Sequence, residues 1–277
     1  MDLGLQGKTA LVLGAGGGLG GAIARALARE GAQVALGDLS TEAVERTAAE
    51  INETGGRALP LTWDVAGPPR HGRALPLTWD LGDLSQIDGN VSRIEEIFGP
   101  VDILVNNTGG PPPTPVSGQS AEVWAKYFQS MVLSVISLTD RVLPGMKARG
   151  WGRVITSTSS GVVAPIPNLG LSNALRVSLV GWSKTLAREV GRDGITSNIV
   201  LPGRIATPRI TFLDEQKARR EGRPVEEVAA ESIASIPVGR YGNPEEYGDV
   251  VAFLASTRAA YLTGSVIRVD GGLIPSL

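Results

Sequence analysis

Seven residues near the start of the chain, Gly14-Ala15-Gly16-Gly17-Gly18-Leu19-Gly20, restrict the fold more than any other stretch. They follow the short apolar run Thr9–Leu13 and precede Ala22–Glu30, whose pattern predicts a helix stopped by Gly31. A short apolar run ended by glycine is what a buried parallel strand looks like. Glycines let the backbone turn tightly and approach a bound group closely. The helix start adds free N–H groups and a partial positive charge. Strand, glycine loop and helix in this order predict a phosphate cradle. The competing reading is a glycine turn with no ligand.

Elements of the same kind recur along the chain. Strands are predicted at Gln33–Leu36, Val101–Val105, Arg153–Ser157, Ile195–Val200 and Val266–Val269. Helices are predicted at Thr41–Glu53, Asp83–Phe98, Ser172–Val190 and Pro244–Ala255, with one long helical pattern at Ala121–Arg149 that carries Pro144. Alternation of this type predicts an α/β fold, a doubly wound parallel sheet in a single domain spanning 1–277. Ligands in such sheets bind beyond the carboxyl ends of the strands.

One segment breaks the alternation. The nine residues GRALPLTWD at Gly56–Asp64 return at Gly72–Asp80, sixteen residues later. That period is too short for known solenoid repeats, so a tandem duplication is the better reading. Only one copy is expected in the third strand. The second is favoured because Asp80 leads directly into Asp83–Phe98. The first copy, with Pro68, Pro69 and His71, is then an inserted loop or hairpin. The reverse assignment, with Asp64 ending the strand, stays open.

Composition removes several chemistries. The chain has 277 residues, no cysteine and one histidine, His71. Disulfides, thiolate metal sites, multi-histidine metal sites and a Ser-His-Asp triad on a second histidine are excluded, and no metal is expected. A net charge of −2 with no basic run argues against nucleic acid. The uncharged stretch between Lys8 and Arg25 is glycine-rich and too short to cross a membrane. The expected location is cytoplasmic.

Asp38 follows the second strand, about 20 residues beyond the loop. A carboxylate there accepts both ribose hydroxyls of NAD and repels the additional phosphate of NADP. Its neighbours, Gly37 and Leu39, bring no positive charge. NAD(H) is therefore expected in preference to NADP(H). The competing reading is a turn aspartate or a cap of the next helix.

Together the motifs resemble the short-chain dehydrogenase/reductase family over nearly the whole chain. Gly14, Gly18 and Gly20 match its Gly-x3-Gly-x-Gly loop, with Leu13 where threonine is usual. Asn106-Asn107-Thr108-Gly109 resembles the family's Asn-Asn-Ala-Gly motif, and Asn198 through Pro202-Gly203 to Thr207 resembles the segment that grips the nicotinamide. Arg240, Gly242, Pro244-Glu245-Glu246, Tyr261, Thr263-Gly264 and Val269-Asp270-Gly271-Gly272 resemble its C-terminal signature. The resemblance is greatest to the 3-oxoacyl-acyl-carrier-protein reductase-like branch, with a Rossmann-type sheet. It implies a cofactor set of Gly14, Gly16, Gly18, Leu19, Gly20, Asp38, Leu39, Asp80, Leu81, Asn107, Thr108, Gly109, Arg176, Pro202, Gly203, Ile205 and Thr207.

The catalytic positions depart from that family. Its pattern is a serine, a tyrosine thirteen residues on and a lysine four further, with an asparagine on the preceding long helix. Here Ser159 fits the serine, but Ser172 and Arg176 stand at the tyrosine and lysine positions and Met131 at that of the asparagine. This resembles an atypical subgroup. An aliphatic hydroxyl is a far weaker acid than a phenol, and arginine stays charged at ordinary pH. Ser159, Ser172 and Arg176 are the candidate catalytic residues, and Arg204 a weaker substrate ligand. The competing readings are a strand-end hydroxyl for Ser159, a helix N-cap for Ser172, cofactor binding alone for Arg176, core packing for Met131 and a solvated loop charge for Arg204.

Three functions follow. The first is an NAD-dependent oxidoreductase with an altered acid–base site, acting on a small carbonyl, alcohol or imine, an anionic one held by arginine included. The second is an NAD(H)-binding scaffold or sensor without catalysis. The third is a non-redox enzyme with bound NAD. Residues 208–237 fall where the family carries its substrate lid. Trp182 and Phe253 are candidates for a subunit interface, as a homotetramer or homodimer.

Overall fold

Each predicted strand joins one sheet, and every pairing in it is parallel. The computed structural model describes residues 1–54, 57–60 and 77–277. Among them the strands are β1 (Thr9–Leu13), β2 (Gln33–Asp38), β3 (Arg57–Pro60), β4 (Leu77–Thr78), β5 (Ile103–Asn107), β6 (Gly152–Ser157), β7 (Ile195–Pro202) and β8 (Val266–Val269). The order is β3-β2-β1-β5-β6-β7-β8, with β4 also beside β2. The order reverses between β1 and β5, which is where such sheets leave a crevice for a ligand.

Helices cover both faces. They are α1 (Gly18–Arg29), α2 (Thr41–Glu53), α3 (Gln86–Phe98), α4 (Ala121–Phe128), α5 (Ser134–Arg149), α6 (Gly170–Val190), α7 (Pro208–Glu221), α8 (Val225–Ala234) and α9 (Pro244–Ala255). One face is an apolar cluster that includes Val12, Ile23, Val44 and Val251; the other includes Leu11, Ile94, Leu138 and Leu186. Alternate residues of β1 thus serve opposite cores, as the strand period of two requires. No helix among the described residues is long and apolar enough to cross a membrane.

The repeat resolves differently from expectation, because both copies contribute to the third strand. Arg57–Pro60 of the first copy pairs with Gln33–Leu36, and Leu77–Thr78 of the second pairs with Gly37–Asp38. Pro60 lies opposite Leu36 and Leu77 opposite Gly37, so the second copy continues the register of the first. The physical reason is the identity of the copies. A Pro-Leu step occurs in each, so the pairing with β2 runs on from Leu36 to Gly37 without a break. Trp79 is then fully buried in the second core. The proposed loop with Pro68, Pro69 and His71, and Asp64, lie outside the described residues.

Two helix expectations also change. The long pattern at Ala121–Arg149 is interrupted by a π-helical turn at Gln129–Leu133, while Pro144 sits inside α5. α6 begins at Gly170, with Leu169 at its N-cap. Ser172 therefore lies inside the first turn and is not the cap.

Candidate active site

The glycine loop is built for close approach. Gly14 has φ 61° and Gly18 φ 53°, the left-handed region open to glycine. A methyl on Gly20 would stand 2.0 Å from the Gly14 carbonyl oxygen, so loop and helix start touch backbone to backbone. α1 has no side-chain cap at its N-terminus and no acidic residue in its first turn. The N–H groups of that turn have no intrahelical partner and face the loop, which fits a dinucleotide pyrophosphate.

Asp38 ends β2 beside this loop. Its Oδ2 accepts from the Gly16 amide at 3.0 Å and its Oδ1 from the Ser40 amide at 3.0 Å. The carboxylate is thereby aimed across the loop. The cap of α2 is Ser40, whose hydroxyl accepts from the Ala43 amide, so Asp38 is not that cap. Leu39 projects into solvent, 65% exposed. Asp80 follows β4 and accepts from the Gly82 amide at 2.7 Å, with Leu81 packed against the second core. Asn107 donates to the Leu13 carbonyl at 3.3 Å, tying the end of β5 to the start of the loop. On the opposite side, a methyl on Gly18 would lie 3.6 Å from Thr207. Gly203 donates to the Val269 carbonyl at 2.9 Å and Ala206 to the Gly242 carbonyl at 2.8 Å, with Ile205 bridged to Gly242. The segment from Pro202 to Thr207 is therefore held from behind by the C-terminal motif. Asn198 is part of that support, donating to the Leu262 carbonyl and accepting from the Ser265 amide.

The candidate catalytic residues lie where β5, β6 and α6 meet. Ser159 caps a short 3-10 turn, its Oγ accepting from the Gly161 amide at 3.1 Å. Asn173 in the first turn of α6 bonds both the amide and the carbonyl of Ile166, so the loop that carries Ser159 is pinned to α6. Ser172 and Arg176 are both buried. Arg176 donates from Nε to Ser172 Oγ at 3.3 Å, and from Nη2 to the carbonyls of Thr108 at 3.1 Å and Gly109 at 2.8 Å. Burial, with the nearby Arg209 charge, pushes the Arg176 guanidinium down to about 10, still charged near neutrality. Met131 is buried in the π-helical turn and packs with Val135, Leu175 and Leu179.

Arg204 is not free for a substrate. Its Nη1 pairs with Asp214 Oδ1 at 2.5 Å, and Tyr241 donates to the other oxygen of that buried carboxylate at 2.6 Å. The second arginine near Arg176 is instead Arg209, at the start of α7, which donates to the Pro111 carbonyl at 2.9 Å. Sequence reading missed it; the one signal was a Pro-Arg step opening the region taken as a lid. That region is two helices, α7 and α8, over a cleft of about 700 Å³ lined by Thr207, Ile210, Phe212, Asp214 and Tyr241. Trp182 is partly buried against two core clusters, which accounts for it without a partner, whereas Phe253 is exposed.

A parallel sheet with a glycine cradle at its reversal point, a carboxylate ending β2 and polar side chains beyond β5 and β6 define a dinucleotide-binding α/β oxidoreductase fold. A family model described as enoyl-(acyl carrier protein) reductase matches residues 67–274. The chain is similar to the 3-oxoacyl-[acyl-carrier-protein] reductase FabG of Escherichia coli, 36% identical over 97% of this chain and 98% of that one. It is also similar to the L-sorbose reductase of Gluconobacter frateurii, solved with NADPH and L-sorbose, at TM-score 0.88 and 31% identity over 100% of both chains. An actinorhodin polyketide ketoreductase variant with NADPH matches at TM-score 0.86 and 32% identity, over 96% of this chain and 97% of that one. The chain belongs to the short-chain dehydrogenase/reductase family.

Proposed function

We propose that this protein is an NAD(H)-dependent oxidoreductase that transfers hydride without a phenolic acid, and that it belongs to an atypical subgroup of its family. The observation that carries this is the Ser172–Arg176 pair, buried and hydrogen-bonded where the family pattern has tyrosine and lysine. When bound, the nicotinamide supplies or accepts the hydride. Gly16, Gly18, Leu19 and Gly20 would hold the pyrophosphate. Asp38 and Leu39 would hold the adenosine end, with Asp80 and Leu81 beside it. Asn107, Thr108, Gly109, Arg176, Pro202, Gly203, Ile205 and Thr207 would hold the nicotinamide end. The two similar structures named above contain NADPH, so the preference for NAD rests on Asp38 alone. Its charge at the loop opposes a 2′-phosphate.

Ser159 Oγ is already an acceptor for Gly161, which leaves its own proton to donate to a substrate oxygen or nitrogen. Arg176 stabilises negative charge developing on that atom electrostatically, with no proton of its own released. Ser172 accepts from Arg176 and so orients it. An imine that arrives protonated needs only hydride and so bypasses the missing acid, though without help from the Arg176 charge. A carbonyl takes its proton from water. Residues 208–237 act as the substrate lid. Exposed Phe253 and the free edge of β8, where Val266 is exposed, support assembly as a homodimer or homotetramer.

A second reading, an NAD(H)-holding scaffold or sensor, is favoured by the three bonds that occupy Arg176. Titrating NADH by fluorescence, then following its oxidation with a carbonyl and imine panel, separates the two. Turnover that is lost in Arg176→Ala even at NADH concentrations that saturate the variant supports the oxidoreductase. Binding with no turnover on any compound supports the scaffold. Product formed without net change in cofactor absorbance supports the non-redox reading.

A further inference from the structure

Beyond the carboxyl ends of β5 and β6 lie two guanidinium groups with no acid to balance them. Among the described residues, no ion pair includes Arg176 or Arg209. Arg176 is 8% exposed. Its Nε and Nη2 are engaged by Ser172, Thr108 and Gly109, and its Nη1 has no partner among the described residues. Among the described residues Arg209 hydrogen-bonds only through Nη2, to the Pro111 carbonyl, and its guanidinium carbon lies 5.6 Å from the centre of the Phe212 ring.

Gly110 stands between them. A methyl added there would lie 3.5 Å from Arg176 Nη2 and 3.6 Å from Arg209 Nη2, so both tips border one small space. Pro111, Pro112 and Pro113 follow, and their fixed φ stiffens the loop on which the arginines close. Each guanidinium raises the cost of the other's charge. A protein that holds two like charges side by side, one of them buried, with no anion of its own has a place for an anion brought by a ligand.

We propose that Arg176 and Arg209 form a clamp for the free carboxylate of a small oxo acid, or of the hydroxy acid in the reverse direction, seated over Gly110. The reaction of that acid rests on the hydride-transfer reading above; its binding does not. A phosphate has its own cradle at the glycine loop. The remaining donors, Nη1 of Arg176 and Nε and Nη1 of Arg209, match the two oxygens of a carboxylate, and an acyl thioester has no such group to offer.

The test is calorimetry on the full chain, with and without saturating NAD, using acetoacetate and levulinate, their methyl esters, and inorganic phosphate. The acids should bind at least about tenfold more tightly than their esters and than phosphate. Arg209→Gln should remove that difference by weakening the acids alone, with melting temperature and NADH titration unchanged. Equal binding of acid and ester, tighter binding of phosphate with the glycine loop filled by NAD, no binding of either acid, or a difference that survives in Arg209→Gln would each overturn the clamp. Failure of the cofactor reading is distinct: NADH then does not bind, while the acid–ester difference persists in the cofactor-free chain.

Discussion

Ser172 accepts a hydrogen bond from the Nε of Arg176 one turn further along α6, at 3.3 Å, so the serine serves the arginine. Ser172→Ala should therefore slow hydride transfer modestly, about five- to tenfold, the effect of a hydrogen bond worth about 1–1.4 kcal/mol. Stopped-flow measurement of NADH oxidation checks this. A drop beyond a thousandfold would make Ser172 the acid. With a carbonyl substrate the rate should also be flat between about pH 6 and 9, declining only as Arg176 loses its proton near 10.

Asp38 should act chiefly on cofactor choice, with a smaller stability cost from the two amides that its carboxylate holds. Its carboxylate is held by the amides of Gly16 and Ser40, so Asp38→Ser removes the charge at the loop while keeping a small polar group. NADPH affinity should rise and NADH affinity fall, shifting their ratio by at least about tenfold, or 1.4 kcal/mol. Parallel fluorescence titrations of the variant read that ratio, and an unchanged ratio removes Asp38 from cofactor selection.

Gly20 is where the loop and α1 touch. With 2.0 Å from an added methyl to the Gly14 carbonyl, Gly20→Ala must push the loop away from the helix start. A stability loss of about 1–3 kcal/mol is expected from the overpacking, together with loss of dinucleotide affinity. Thermal melts with and without NADH should show a lower melting temperature and no shift on adding the cofactor.

Glu246 ties the C-terminal motif together. The Arg240 guanidinium and the Asn243 amide hold its carboxyl down to about 2. A lowered carboxyl stabilises the fold above its ordinary value near 4.5, and that contribution disappears as pH falls toward 2. Glu246→Gln should thus flatten the decline of melting temperature over this window. A decline as steep as in the parent chain would place the acid sensitivity elsewhere.

The strand-loop-helix start was legible because it is written in consecutive residues, a continuous apolar run followed by glycines. Asp38 was singled out by its distance from the loop, and Ser159 and Arg176 by the family pattern that the chain resembles. What escaped depends on contacts between separate segments. Nothing near Arg204 indicates that Asp214 is buried and takes its charge, or that Arg209 replaces it beside Arg176. Ser172 reads as a cap because serine favours that place, yet Gly170 and Leu171 extend the helix past it once Gly170 donates to the Thr114 carbonyl. The shared third strand was hidden by the identity of its two halves, since no local pattern distinguishes identical copies.

The most direct measurement is equilibrium binding of NADH and NADPH, side by side, to the purified full-length chain. NADH should bind saturably, and more tightly than NADPH by at least about tenfold. Tighter binding of NADPH would contradict the role given to Asp38, and no binding of either would contradict the dinucleotide site itself.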